Sequence, residues 1–336
     1  MLALLSAIYG AIVAHRNARY DDGRSPAVRC TVPVISVGNL SVGGTGKSPV
    51  VQMIVRLLQR HGYRPAVVMR GYRRRSKGLV VVHDGASIVA TVAAAGDEAF
   101  MHARTLDVPV VVCEYKVDAA VHAAGMLPCD VIVVDDGFQH RALYRDVDVV
   151  LIDERTIHQP QLLPQGRLRE PLTSLRRASI VLLMSPTLMR HDVASYVSDD
   201  VLVTHVVIEP TTSLLTEGST SGSIADMIPR GERVVMVSGI ANPERFRATV
   251  AQLGIDVATI LEYGDHHDYT KRDAMSVIRA AQAAGTTTVI TTEKDAVKLD
   301  AYRTSFDTEG IHFLSIGITA RSLDPLDDAI MERIVP

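Results

Sequence analysis

The stretch TVPVISVGNLSVGGTGKSPVVQMIVRLLQR, residues 31–60, constrains the fold more than any other part of the chain. An apolar run reads as a buried strand, a turn containing Gly43, Gly44 and Gly46 follows, and an apolar-periodic segment then reads as a helix. The same alternation recurs along almost the whole sequence. PAVVMRGY, VPVVVCEYK, DVIVVDDG, DVDVVLIDE and SIVLLMSP are continuous Val- and Ile-rich runs, separated by helical patterns near 97–105, 119–124 and 172–177. Strands without strict apolar and polar alternation are buried on both faces, so the expected fold is α/β, a mostly parallel sheet of the P-loop NTPase type with helices on both faces.

Composition supports this reading. Hydrophobic residues make up 47% of the 336 positions while Trp is absent and aromatics are 4%, so the cores must be built from Val, Ala, Leu and Ile. A chain of this length exceeds what one core usually organises. The periodicity fades between residues 201 and 233, where TTSLLTEGSTSGS has loop composition. It resumes with ERVVMVSGI, NPERFRATVAQLG, DVATILEYG, a helix at 271–284, TTTVITTEK and IHFLSIGI. The expected division is an N-terminal apolar helix at 1–20, a core domain at 21–205, a linker at 206–232, and a smaller Rossmann-like α/β domain at 233–336, with its last strand free to return to the linker.

The net charge of -3 argues against nucleic-acid binding by bulk electrostatics. Cys30, Cys113 and Cys129 are odd in number and lack a CxxC spacing, which fits buried thiols in a reducing compartment and neither a zinc site nor a disulfide framework. The segment from Met1 to Ala14 is apolar and is followed by His15, Arg16 and Arg19. It is shorter than the ~20 residues of a spanning helix, and its charge order is not that of a signal peptide. Two readings stay open: a helix lying in one leaflet with basic residues at the headgroups, or a buried core helix.

The glycine turn carries the first chemical signal. SVGGTGKS, Ser41 to Ser48, ends in the Gly-Lys-Ser of a phosphate-binding loop, although Ser41 stands where the usual pattern has glycine. The backbone N–H groups of Ser41, Val42, Gly43, Gly44, Thr45 and Gly46, with the helix start behind them, form a cradle for phosphate oxygens. Lys47 reaches the outer phosphates, and the Ser48 hydroxyl is placed for Mg²⁺. DVIVVDDG puts Asp135 and Asp136 at the end of a buried strand, where carboxylates complete a magnesium shell.

Two further clusters concern an acceptor. AAAGDEAF sets Asp97 at a helix start, either as an ordinary cap or as an ionised carboxylate with a chemical role. YGDHHDYT groups Asp265, His266, His267 and Asp268 after a strand, and adjacent side chains in an extended segment point to opposite faces. Taken alone these features admit a lipid kinase, a metal-handling P-loop NTPase in which DHHD holds the metal, or a membrane-surface protein with a vestigial nucleotide site.

Together, VPVISVGNLSVGGTGKSP, RGYRR, GDEAF, DDGFQHRALYRD, LPQGRLREP, DHHDYT and TTEKDAVKL, in this order between residues 32 and 299, closely resemble the tetraacyldisaccharide 4'-kinase (lipid A 4'-kinase) family, whose own loop begins with Ser or Thr. The resemblance implies a phosphotransferase that moves the γ-phosphate of ATP, with Mg²⁺, to the 4'-hydroxyl of tetraacyldisaccharide 1-phosphate. It also implies a peripheral or monotopic enzyme on the cytoplasmic face of the inner membrane. Carried onto this chain, it implies ATP binding by Gly43 to Ser48, magnesium near Asp135 and Asp136, Asp97 as the base, and a histidine partner at His266, with His267 as the alternative. Asp97 and His266 fall in different expected domains, so closure of one onto the other would assemble them. Arg70, Arg73 and Arg169 are expected at substrate phosphates, because guanidinium forks suit such oxygens. The Glu293, Lys294 and Asp295 part of TTEKDAVKL is expected to be structural, and no protein partner is evident.

Overall fold

A computed structural model describes residues 1–214, 227–228, 231–323 and 326–334. The chain begins with α1 (Leu2–Asp21), β1 (Val34–Asn39), α2 (Lys47–Arg60), β2 (Pro65–Met69), β3 (Val80–His83), α3 (Val92–Ala95), α4 (Asp97–Leu106) and β4 (Val110–Val112). It continues with α5 (Lys116–Met126), β5 (Val131–Asp135), β6 (Val147–Ile152), α6 (Glu154–His158), β7 (Ile180–Leu183), α7 (Arg190–Val193) and β8 (Leu202–Leu214). The remaining elements are β9 (Val234–Ser238), α8 (Pro243–Gln252), β10 (Val257–Glu262), α9 (Lys271–Ala284), β11 (Thr288–Thr292), α10 (Glu293–Leu299), α11 (Arg303–Thr308), β12 (His312–Ser322) and α12 (Leu326–Ile334). The result is a mixed α/β fold with a large, mostly parallel sheet.

Two compact units divide these elements. The first holds residues 1–95, 102–208 and 319–336; the second holds 96–101 and 209–318. In the first unit the strand order is β8-β7-β6-β1-β5-β2-β4-β3, parallel throughout except where β3 runs antiparallel to β4 at the edge. All six residues of β1 and all five of β5 are buried, which is why both read as unbroken apolar runs. On α2 the buried residues Val50, Val51, Ile54, Val55, Leu57 and Leu58 recur at helical spacing and form the stripe that faces the sheet. Each large side chain removed from water in this way contributes about 1.5–3 kcal/mol before the entropy of ordering is counted.

The second unit has the parallel order β10-β9-β11-β12. Its main helix, α9, starts with a reciprocal Thr270 and Asp273 capping box and stops at Gly285 in the left-handed conformation, satisfying backbone groups at both ends.

Several elements depart from the sequence reading. β8 extends to Leu214, well into the stretch expected as linker, because HVVIEPTT is rich in β-branched residues that suit extended backbone despite Pro210. Most of the Ser-, Thr- and Gly-rich segment beyond it, residues 215–226, lies outside the described residues. The expected helix at 172–177 is a 3-10 helix.

The apolar N-terminal run does not form a buried core helix. α1 is 20 residues long, yet only Ser6, Val13 and Asn17 are buried, while Leu4, Ile8 and Ile12 are 67%, 50% and 63% exposed. The face that docks is its polar one. The Ser6 hydroxyl donates to the Leu162 carbonyl at 2.9 Å, Tyr9 donates to the Arg169 carbonyl at 3.0 Å, and the Asn17 amide donates to the buried Glu170 carboxylate at 2.9 Å. Among the described residues, no helix is long and apolar enough to cross a membrane.

Candidate active site

In the first unit, pairing of β1 with both β5 and β6 places the turn after β1 at the carboxyl end of the sheet, where the strand order reverses. The register sets Val37 beside Asp135, so the acidic pair lies next to the start of the glycine loop. That loop is held from the side by the GRLREP segment. Ser41 forms a backbone bridge with Leu168, Val42 N–H donates to the Arg167 carbonyl at 2.9 Å, and Arg169 N–H donates to the Leu40 carbonyl at 2.7 Å. Ser41 therefore occupies a short extended pairing, a conformation that does not require glycine.

Glycine is required further along the loop. Gly43 has φ +110°, and a Cβ there would lie 2.2 Å from Nη2 of Arg167, which folds over the loop and donates to the Val42 carbonyl at 2.7 Å. Gly46 takes φ +84° as the cap of α2 and turns the chain into the helix.

Lys47 and the acidic pair converge on one carboxylate. Arg169 forks onto both oxygens of Asp136 at 2.8 Å each, and the Lys47 ammonium lies 3.5 Å from Oδ1 of the same group. Burial, the largest influence on Asp136, favours the neutral acid; the Arg169 hydrogen bonds and the charges of Lys47, Arg169 and Lys116 outweigh it and hold the carboxyl well below the usual carboxylate range. Asp136 has φ +52°, uncommon for a non-glycine residue.

Two residues that sequence reasoning missed support this arrangement. Lys116 is buried at the start of α5, and its ammonium donates to the carbonyls of Asp135 and Asp136 at 2.8 and 2.6 Å, fastening the backbone that carries the acids. Burial lowers its pKa, partly offset by those two aspartates. Asn39, fully buried at the end of β1, donates to the Thr45 hydroxyl at 2.7 Å and accepts from Lys47 at 3.4 Å and from Arg169. The signals were a lysine opening an Ala-rich helix and an amide closing an apolar strand.

Arg70 follows β2 and is exposed; Arg73, also exposed, has φ +57° and lies over the Tyr72 ring at 5.6 Å. Because β1, β5 and β2 run parallel, these arginines lie beyond the same edge of the sheet as the glycine loop. Oxygen donors for a hard cation are present as the Ser48 hydroxyl at the start of α2 and the carboxylates of Asp135 and Asp136. Among the described residues no group of three or more His, Cys, Asp and Glu side chains forms a metal cage.

The second unit holds the other cluster. Residues 96–101 belong to it by their contacts, so Asp97 and His266 meet within one unit, without the closure expected from their separation in sequence. Nδ1 of His266 lies 2.9 Å from Oδ2 of Asp97, and Oδ1 accepts from the Glu98 N–H at 3.0 Å. Both side chains are less than a tenth exposed. Burial of Asp97 favours its neutral form, but the hydrogen bond with His266 and the charges of Lys294, His266 and Lys298 prevail, and its pKa is lowered. His267 turns elsewhere: its Nε2 is 3.1 Å from Asp273, and its ring stacks on Tyr263 at 4.6 Å and meets the edge of Tyr269.

Known proteins similar to this chain share one family name. The family model described as tetraacyldisaccharide-1-P 4'-kinase matches residues 1–335. The tetraacyldisaccharide 4'-kinase of Anaeromyxobacter sp. strain K is 40% identical over 308 residues, covering 89% of this chain and 81% of that protein. The protein of the same name from Geobacter sulfurreducens is 36% identical over 337 residues, covering 99% of this chain and 91% of its own. The crystal structure of the "apo" form of LpxK from Aquifex aeolicus in complex with ATP superposes with a TM-score of 0.82 at 28% identity, covering 99% of this chain and 98% of the other. With a match over nearly every residue and relatives well above 30% identity, the chain belongs to the tetraacyldisaccharide-1-P 4'-kinase family.

Proposed function

We infer that this protein is an ATP-dependent lipid kinase that transfers the γ-phosphate of ATP to the 4'-hydroxyl of tetraacyldisaccharide 1-phosphate in lipid A biosynthesis. The observation that carries the reading is the buried Asp97 carboxylate bonded to His266. A nucleotide hydrolase needs only a positioned water, whereas transfer to an alcohol needs a group to accept its proton. The family membership supplies the identity of that alcohol.

In this reading the backbone from Ser41 to Gly46 holds phosphate oxygens, with Lys47 as their cation. Lys47 and Arg169 share Asp136, which supports a role for both cations at the outer phosphates. The donor set of Ser48, Asp135 and Asp136 fits Mg²⁺, which binds through one or two carboxylates together with nucleotide phosphates and does not need an all-protein cage. When bound, the ion neutralises charge on the phosphates during transfer.

Asp97 takes the 4'-hydroxyl proton as the new O–P bond forms and the bond from the γ-phosphorus to ADP breaks. His266 orients the carboxylate and shares the charge. Arg70 and Arg73 meet anionic groups of the substrate. The outward face of α1, with Leu4, Leu5, Ile8 and Ile12, lies on the cytoplasmic surface of the inner membrane, where His15 and Arg19 on the same side meet anionic headgroups.

The test is transfer of label from γ-³²P ATP. Purified protein with detergent, Mg²⁺ and defined tetraacyldisaccharide 1-phosphate should yield labelled bisphosphate, and Lys47→Ala should abolish it. Release of labelled phosphate with no labelled lipid would overturn the assignment in favour of a nucleotide hydrolase.

A further inference from the structure

TTEKDAVKL, expected to be structural, lies on the catalytic cluster of the second unit. α10 carries Lys294 and Lys298 four residues apart on one face of the helix. The Lys294 ammonium is 3.1 Å from Nε2 of His266, 3.2 Å from Oε1 of Glu98 and 3.8 Å from Oδ2 of Asp97. Lys298 lies 3.8 Å from the same Asp97 oxygen and pairs with Asp295 at 3.2 Å.

The lysine contact bears on which nitrogen of His266 carries its proton. An ammonium has three N–H donors and no acceptor, so the ring nitrogen that bonds to Lys294 must offer its lone pair. In a neutral imidazole the proton then resides on the other nitrogen. That nitrogen is Nδ1, which faces the Asp97 carboxylate at 2.9 Å and needs a hydrogen to bond to it. The opposite tautomer would set an N–H of His266 against the ammonium and a lone pair against the carboxylate. The Asp265 carboxylate lies 3.8 Å from Nε2, beyond hydrogen-bond reach, and does not draw the proton to that nitrogen.

We propose that Lys294 is a positioning residue that fixes His266 as the Nδ1–H tautomer, so that the histidine donates to Asp97 and aims its carboxylate at the acceptor hydroxyl. The backbone supports this order. His266 is held at φ +58° with its N–H donating to the Gly239 carbonyl at 3.0 Å, and Glu98 tethers the far side of the lysine. The proposal rests on Asp97 and His266 being the proton-accepting pair of the kinase.

Proton placement is measured on the full-length protein by two-bond ¹H–¹⁵N correlation of histidine-labelled samples, with His266 identified by its loss in His266→Asn. The wild type should show Nδ1 protonated and Nε2 unprotonated. Lys294→Met should populate the Nε2–H form and lower kcat by about tenfold or more, within the ~10²–10⁴-fold range of the whole acid–base contribution, while KM for ATP stays within about twofold. Lys294→Arg, which still presents a donor, should restore the tautomer and most of kcat. A wild-type Nε2–H tautomer overturns the proposal, whether or not Lys294→Met folds. An unchanged tautomer in Lys294→Met with reduced kcat also overturns it, leaving the lysine another role. A wild type that shows the expected tautomer yet transfers no phosphate supports the proton placement and overturns the functional reading instead.

Discussion

The positive φ angles of Asp136 and His266 place the two clusters on backbone that is costly to hold, about 1–3 kcal/mol per residue. Each is fastened from outside: Lys116 binds the Asp135 and Asp136 carbonyls, and the Gly239 carbonyl binds the His266 N–H. Of the two adjacent histidines only His266 is bonded to Asp97, so the pair can be told apart by function. Asp97→Asn and His266→Ala should each lower kcat by ~10²–10⁴-fold with nucleotide affinity retained, measured by steady-state kinetics and by calorimetric titration of ATP. His267→Ala should instead leave kcat within a few fold and lower the melting temperature, because that ring packs between Tyr263 and Tyr269. The charges around Asp97 make a pH prediction. The facing groups are His266, Lys294 and Lys298, with Glu98, Asp265 and Asp295 adjoining them, and the cations keep the Asp97 carboxyl ionised despite its burial. Lys298→Met removes one cation, so Asp97 protonates at higher pH and the acidic limb of the kcat/KM profile should move toward neutral. Lys298→Arg should leave the limb in place.

At the scale of elements, α1 inverts the usual arrangement of a surface helix, docking a polar stripe and presenting apolar residues outward. Ser6, Val13 and Asn17 recur at about two-turn and one-turn spacings on the docked side, and Gly10 fits there because a Cβ would lie 2.9 Å from Leu162. The outward side chains contribute little to folding, since they are exposed in the folded protein. Burying two of them in lipid is worth about 1.5–3 kcal/mol each. Ile8→Ser with Ile12→Ser should therefore weaken co-sedimentation with anionic vesicles by at least ~10-fold and leave the melting temperature within a degree or two. A fall in melting temperature with unchanged vesicle binding would mean that this face packs against protein. The apolar run itself was legible in the sequence, because hydropathy is local. Which face docks was not legible, since it depends on Leu162, Arg169 and Glu170, more than 150 residues away.

For the molecule as a whole, the parallel strands of both units were legible because strands buried on both faces must be continuously apolar, as β1 and β5 are. The extension of β8 and the membership of residues 96–101 in the second unit were not, because both depend on tertiary contacts that local propensity does not encode. Lys116 was missed for a related reason: a lysine in sequence reads as a solvated charge, and only the fold brings carbonyls to it, just as only the fold brings a ring nitrogen to Lys294, which the sequence marked as structural. The same burial sets the acid response of the protein. His102 on α4 is fully buried, neither ring nitrogen has a hydrogen-bond partner, and its pKa is pushed down to about 4, first by burial and then by the charge of Arg56. The unfolded chain binds a proton at this residue near the ordinary value of 6.5 while the folded protein does not. Between those values the unfolded state holds more protons, so stability is complete above pH 6.5 and falls as the pH drops toward 4. One such histidine accounts for at most about 3 kcal/mol. His140, likewise lowered to about 4 by burial and then by the charges of Lys116, Arg145 and Arg16, acts in the same window. Carboxylates held low, such as Asp97 and Asp136, release their contribution only at lower pH, so the two effects separate along the pH axis. Urea unfolding of the wild type should therefore lose stability from pH 7 to pH 5. His102→Leu, which fills a similar volume without a titrating group, should lose less over that interval. Equal losses in both proteins would show that His102 does not govern the acid response.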